Sequence, residues 1–160
     1  MTDVTARTAW AFQFNTGLLQ KTVDGVAPER WPRKPGNKSN SILWIAGHLV
    51  WERSQILKLL GQERHEAWLS LFATGAKPSD GQAYPAASEI LRAWTEVSKQ
   101  LASAMDAAPP EVLSRPAPEG LPSADGKLGG VLQFFTIHEG YHLGQLGYLR
   151  KWLGYSQVLG

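Results

Sequence analysis

There is no cysteine anywhere in the 160 residues. Disulfides, zinc–thiolate sites and a protein thiol nucleophile are all excluded, so any thiol chemistry would need a thiol from outside the chain. Charge of one sign is also lacking. The 16 Lys and Arg face 14 Asp and Glu, leaving a net charge of +2. The densest basic group, Arg30, Arg33, Lys34 and Lys38, is spread through a Pro/Gly loop. Without a basic block or stripe there is no electrostatic footprint for nucleic acid, and no nucleic-acid partner is expected. No apolar run approaches the roughly 20 residues that span a bilayer, so no membrane partner is expected either. The first residues, Met1 to Thr5, lack the basic start and apolar run of a signal peptide. The expected location is the cytoplasm.

What is present is an ordinary globular composition, 43% apolar and 19% charged. A chain of this length can bury a core without staples, and one domain covering residues 1–160 is expected. Seven tryptophans are many for the length. They point to wide aromatic slabs in the core or to a pocket lined by them.

Apolar residues recurring at period 3.6 predict four helices. The first runs from about Thr5 to Val23, with Trp10, Phe14 and Leu18 as its apolar stripe, and stops at Asp24-Gly25. A second follows a Ser39/Asn40 cap and runs from Ser41 to Leu60, ending at Gly61. It is apolar over most of its circumference, which predicts burial on more than one side. Between Gly61 and Pro85, Trp68, Leu69, Leu71 and Phe72 suggest a short helix before Gly75, Pro78 and Gly81. The third helix runs from about Ala86 to Asp106, on Leu91, Trp94, Val97, Leu101 and Met105, and Pro109-Pro110 close it. The fourth runs from about Leu128 to Leu153, its stripe being Leu128, Val131, Phe135, His138, His142, Gln145/Leu146, Leu149 and Leu153. No alternating strand and no repeat is found. The chain reads as an all-α bundle of four main helices, and its long connections favour at least one crossover between parallel neighbours.

The segment His138-Glu139-Gly140-Tyr141-His142 lies on the core-facing stripe of the fourth helix. Histidines four apart on a helix project from one face, one turn apart, close enough to share a metal ion. Two uncompensated imidazoles on an apolar stripe would be costly to desolvate, and a shared ion satisfies both. The spacing also matches the His-Glu-x-x-His signature of zinc proteases, but residues 143–160 hold no His, Asp or Glu to act as a downstream third ligand. The third ligand must come from upstream. His48, mid-way along the second helix behind the small Ala46 and Gly47, is the candidate; the small pair would let that helix approach the fourth. His65 sits in a polar patch, Gln62 to Glu66, that reads as solvated loop. Three imidazoles leave a coordination position open, the pattern of catalytic rather than structural zinc, and nickel or iron suits the same nitrogens. Glu139 points about 100° around the helix from His138 and is expected to be a surface charge. Arg150 and Lys151 suit the negative end of the helix dipole and receive no catalytic role.

His48 in the setting Trp44-Ile45-Ala46-Gly47-His48-Leu49, followed by Phe135, His138, His142 and Gly144-Gln145-Leu146, resembles the DinB-like (DinB/YfiT) superfamily. The resemblance covers the whole chain in helix order, while its specific part is confined to the second and fourth helices. It implies a four-helix bundle with a long crossover between helices two and three. It also implies a divalent metal on His48, His138 and His142, and frequent homodimers. Characterised members include thiol-dependent S-transferases and an isomerase that use low-molecular-weight thiols. The implied activity is thus metal-dependent thiol S-transfer to a small electrophilic molecule. A metal-dependent hydrolase and a non-catalytic, stress-associated metal-binding bundle are the alternatives.

Overall fold

In a computed structural model, residues 3–76 and 84–159 are described; Pro78 and Gly81 of the expected loop lie outside them. The helices are α1 (Asp3–Val23), α2 (Ile42–Leu59), α3 (Ala87–Ala107), α4 (Pro110–Leu113) and α5 (Leu128–Trp152). Two 3₁₀ turns, Pro28–Arg30 and Leu69–Phe72, lie in the connections. Among the described residues there is no strand, only an isolated bridge between Pro116 and Lys127. The fold is all-α, and the fourth long helix of the sequence reading is α5. The short α4 was not anticipated. Its Pro110 closes α3 and then opens a fresh turn, because proline suits the first helical position, whose N–H is unbonded anyway.

Local chemistry sets the ends of α2. Ser41, one residue beyond the expected Ser39/Asn40 cap, holds the Trp44 N–H with its hydroxyl at 3.2 Å. At the other end Gly61 adopts φ 80°, a left-handed conformation glycine enters freely. The Gly61 and Gln62 amides then return to the carbonyls of Lys58 and Leu57, satisfying the last turn.

Around the bundle the order is α1, α3, α2, α5, with each helix packed on its two neighbours. Hydrogen bonds give the directions. Asn15 bonds Thr136 and Glu139 while Arg150 bonds Thr22, so α1 and α5 run parallel. His48 lies against His142 and Glu52 against His138, so α2 and α5 run antiparallel. Gln20 meets Thr95, and Thr5 shares a cleft with Met105 and Asp106, so α1 and α3 run antiparallel. It follows that α2 and α3 are parallel. The connection between them turns back along the bundle, placing Phe72 against Gly47 near the middle of α2. This is the crossover between the second and third helices that the resemblance implied.

The core is built as expected from Ile42, Ile45, Leu49, Ile56 and Leu57 of α2, Trp94, Val97 and Leu101 of α3, and the stripe of α5. Trp31 and Trp94 are the fully buried tryptophans. The expected stripe of α1 is wrong by about a third of a turn. Trp10 is 64% and Phe14 48% exposed, whereas Thr8, Phe12, Asn15, Leu19, Thr22 and Val23 face inward. The inward face of α1 is half polar because it serves buried hydrogen bonds, and hydrophobicity alone selects the other face. No helix among the described residues is long and apolar enough to cross a membrane.

Candidate metal centre

The structure brings His48 of α2 together with His138 and His142 of α5. One ligand atom from each lies within 4.8 Å of the others, the arrangement three ligands of a single ion require. Ring centroids are 4.6 Å apart for the α5 pair, 4.9 Å for His48 and His142, and 5.9 Å for His48 and His138. His65 is not among them; its side chain is 86% exposed beside Glu63, as the loop reading expected.

Each imidazole is held by its Nδ1, and each holder comes from a different part of the chain. The His48 Nδ1–H donates to the Phe72 carbonyl at 2.8 Å. His142 donates to Gln145 Oε1 at 2.9 Å. His138 is bonded to Glu52 Oε1. For His48 and His142 the partner is a carbonyl oxygen, which only accepts, so the proton sits on Nδ1 and the lone pair on Nε2. Nε2 is the nitrogen these bonds leave for an ion, and each ring is fixed through its other nitrogen. Metal-binding histidines are supported in this way in general.

The sequence reading assigned none of these supports, Gln145 entering it only through the stripe and the family pattern. Glu52 lies one turn after His48, on the same face of α2, and crosses to α5. The available signal was the pair Glu52-Arg53 inside a helix apolar all round, because charges there must be paired to be buried. Phe72 reaches His48 because Gly47 leaves room for its ring. A Cβ on Gly47 would stand 2.4 to 2.6 Å from ring atoms of Phe72. Gly47 thus admits the 3₁₀ turn, not the fourth long helix as expected from sequence.

Electrostatics keeps two of the three rings ready to ligate. Burial pushes His142 down to about 4, and burial likewise lowers His48 despite its bond to Phe72. Both are neutral at pH 7, as a metal requires. His138 is raised by its hydrogen bond to Glu52, while burial raises Glu52 itself, so one proton is held between the two. The His138 side chain is 32% exposed, against residue exposures of 4% and 6% for His48 and His142. Of the three rings, His138 is the one partly open to solvent. Trp44 stacks on His48 at 4.9 Å and 10°, with Trp51 at 5.5 Å.

Glu139, expected at the surface, is fully buried. Its carboxylate takes two bonds from Arg53, 2.6 Å from Nε and 2.9 Å from the terminal nitrogen, and a third from Asn15 at 3.0 Å. The remaining Arg53 donors go to the Thr16 and Ser98 hydroxyls and the Phe12 carbonyl, and its guanidinium lies 3.8 Å from the Trp94 ring centre. All five guanidinium N–H groups are bonded. Glu139 is therefore committed to Arg53 and is no protease-type base. The 100° offset from His138 points it at α1, because α5 is covered by both α1 and α2.

Four buried side-chain polar atoms among the described residues have no partner: Trp44 Nε1, Glu52 Oε2, Arg64 Nε and Tyr84 Oη. Trp44 and Glu52 touch the histidines directly, and Tyr84 packs on Phe72. An orphaned buried group costs about 1–3 kcal/mol, so their concentration here fits a site completed by an added group.

An all-α bundle of crossover topology with convergent histidines on two antiparallel helices defines the class. The chain belongs to the DinB superfamily, whose sequence model matches residues 11–146. Its fold is similar to that of YfiT from Bacillus subtilis, described as a probable metal-dependent hydrolase with an unusual four-helix bundle topology. The TM-score is 0.66 at 11% identity, over 98% of this chain and 91% of that one. No curated protein sequence matches the chain.

Proposed function

We propose that the chain is a metal-dependent enzyme holding a divalent ion on the Nε2 atoms of His48, His138 and His142. Zinc, nickel and iron all suit the nitrogen set. The observation that carries the reading is the tying of all three Nδ1 atoms, on rings whose ligand atoms lie within 4.8 Å of one another. No fourth His, Asp or Glu is grouped with them among the described residues, and an open position favours catalysis over a purely structural ion. When bound, the ion would supply Lewis acidity that lowers the pKa of a small nucleophile.

The reaction we propose is thiol S-transfer to a small electrophilic molecule, with a low-molecular-weight thiol as cosubstrate in the cytoplasm. The chain has no thiol of its own, which fits an external one. Glu52, Phe72 and Gln145 orient the ligands, and the indoles of Trp44 and Trp51 present apolar surface beside His48. Hydrolysis by water is the second reading, favoured by the description of YfiT as a probable metal-dependent hydrolase. We also propose a homodimer, supported by the exposed Trp10, Phe14, Ile137, Tyr141 and Tyr148 along α1 and α5.

The test is to load the protein with zinc, nickel or iron and follow conjugation of 1-chloro-2,4-dinitrobenzene with several low-molecular-weight thiols. Hydrolysis of p-nitrophenyl esters is followed in parallel without thiol. Thiol- and metal-dependent conjugation, lost in His48→Ala, is expected. Thiol-independent hydrolysis would transfer the assignment to the second reading, and inactivity in both would favour the non-catalytic bundle.

A further inference from the structure

We infer that the buried Arg53–Glu139 pair is the positioning element of the histidine centre, setting the register of α2 against α5. The inference rests on the metal-binding reading above and assigns that site a control lying one residue outside it.

The triad is divided between two helices, with His48 on α2 and His138 and His142 on α5. Its geometry therefore depends on how those two helices slide and rotate against each other. Their contact is the thinnest of the four in the ring, so apolar packing between them constrains that motion least. Two polar bonds cross the seam, and they involve consecutive residues on each side. Glu52 holds His138, and Arg53 holds Glu139. The second is two-pronged, at 2.6 and 2.9 Å, and a planar guanidinium on a planar carboxylate tolerates neither slide nor twist. Arg53 is in turn fixed to α1 through Phe12 and Thr16 and to α3 through Ser98. Glu139 is fixed to α1 through Asn15, which also bonds the Thr136 carbonyl. All four long helices thus meet at one ion pair beside the histidine layer.

Such a pair is a poor way to gain stability. Both charges are desolvated, and well-packed apolar residues of similar volume generally do as well or better. What an apolar pair lacks is a preferred register. A metal site needs its ligand distances right to about 0.2 Å, so a device that fixes register has a use here that burial alone does not supply.

The decisive variant is the double substitution Arg53→Met with Glu139→Leu, which removes both charges and keeps the volume. The readouts are thermal melting of the metal-free protein, the affinity for Co²⁺ by titration, and the Co²⁺ visible spectrum, all beside the native chain. The expected result is a folded helical protein melting within about 5 °C of native. Its Co²⁺ affinity should be weaker by about tenfold or more, as when supports of metal ligands are removed, with an altered spectrum. Native affinity and spectrum in the folded double variant would overturn the inference. Should that variant fail to fold, Arg53→Lys decides, because it keeps the charge and loses the two-pronged grip. Weakened Co²⁺ binding in folded Arg53→Lys supports the inference, and unchanged binding overturns it. Failure of the native chain to bind Co²⁺ would instead overturn the metal reading itself.

Discussion

Two adjacent polar layers lie inside this bundle, and they are finished to different degrees. In the layer of Arg53, Glu139 and Asn15, all five guanidinium N–H groups and both carboxylate oxygens have partners within the protein. In the layer of His48, Glu52, His138 and His142, three imidazoles converge with a ligand atom of each within 4.8 Å of the others, and Glu52 Oε2 and Trp44 Nε1 are buried without a partner. Protein interiors satisfy their polar groups almost completely. A layer complete in itself therefore serves the fold, whereas a layer that is nearly complete is built for something that arrives. The same two stretches of helix supply both: residues 52 and 53 of α2, and 138 and 139 of α5.

That contrast makes predictions of graded size. The largest effect should come from Arg53→Ala, which leaves the Glu139 carboxylate buried and unpaired. Breaking one side of a buried pair costs about 3–5 kcal/mol, read as a large fall in melting temperature of the metal-free protein. A loss under about 1 kcal/mol would show that water already serves the finished layer. His142→Ala should do the reverse, abolishing metal uptake while leaving the metal-free fold close to native by circular dichroism. Its counterpart His65→Ala should leave metal content alone; loss there would show that the wrong third histidine had been chosen.

Glu52→Gln keeps the shape of the His138 support and removes its charge. Metal affinity should weaken about 10- to 100-fold by competition titration, and unchanged affinity would make Glu52 a bystander. A further, gradual effect is a pH dependence of the metal-free protein. His142, held down to about 4 by burial, rejects a proton that the unfolded chain accepts below 6.5. Stability from this source is complete above pH 6.5 and declines as the pH falls towards 4, by at most about 1.4 kcal/mol per unit. His48, also lowered by burial, acts in the same sense. A melting profile over that range should be shallower in His142→Gln, and identical slopes would contradict the burial argument.

The unfinished layer was legible in sequence because a histidine pair at helical spacing stands out on an apolar stripe, and because a chain with four histidines offers few third ligands. The finished layer was not. Glu139 was assigned to solvent since a lone carboxylate one residue off the stripe is normally solvated, and nothing in one helix shows that α1 covers that side. The same blindness misplaced the face of α1. Trp10 and Phe14 look like core, whereas Asn15 and Thr16, the residues that hold Glu139 and Arg53, look like surface. Period and capping located α2 and α5 to within a residue or two, because both are local properties. Pairing of buried charges is not local, so it appears only when four helices are assembled.

The central claim is that the open layer is a metal centre, and elemental analysis of the purified, untagged protein tests it most directly. A His48→Ala, His138→Ala, His142→Ala variant, prepared in parallel, is the reference. About one equivalent of zinc, nickel or iron per chain is expected in the native protein and none in the variant. Absence of metal from both, persisting after incubation with divalent ions, would contradict it and return the three histidines to a packing role.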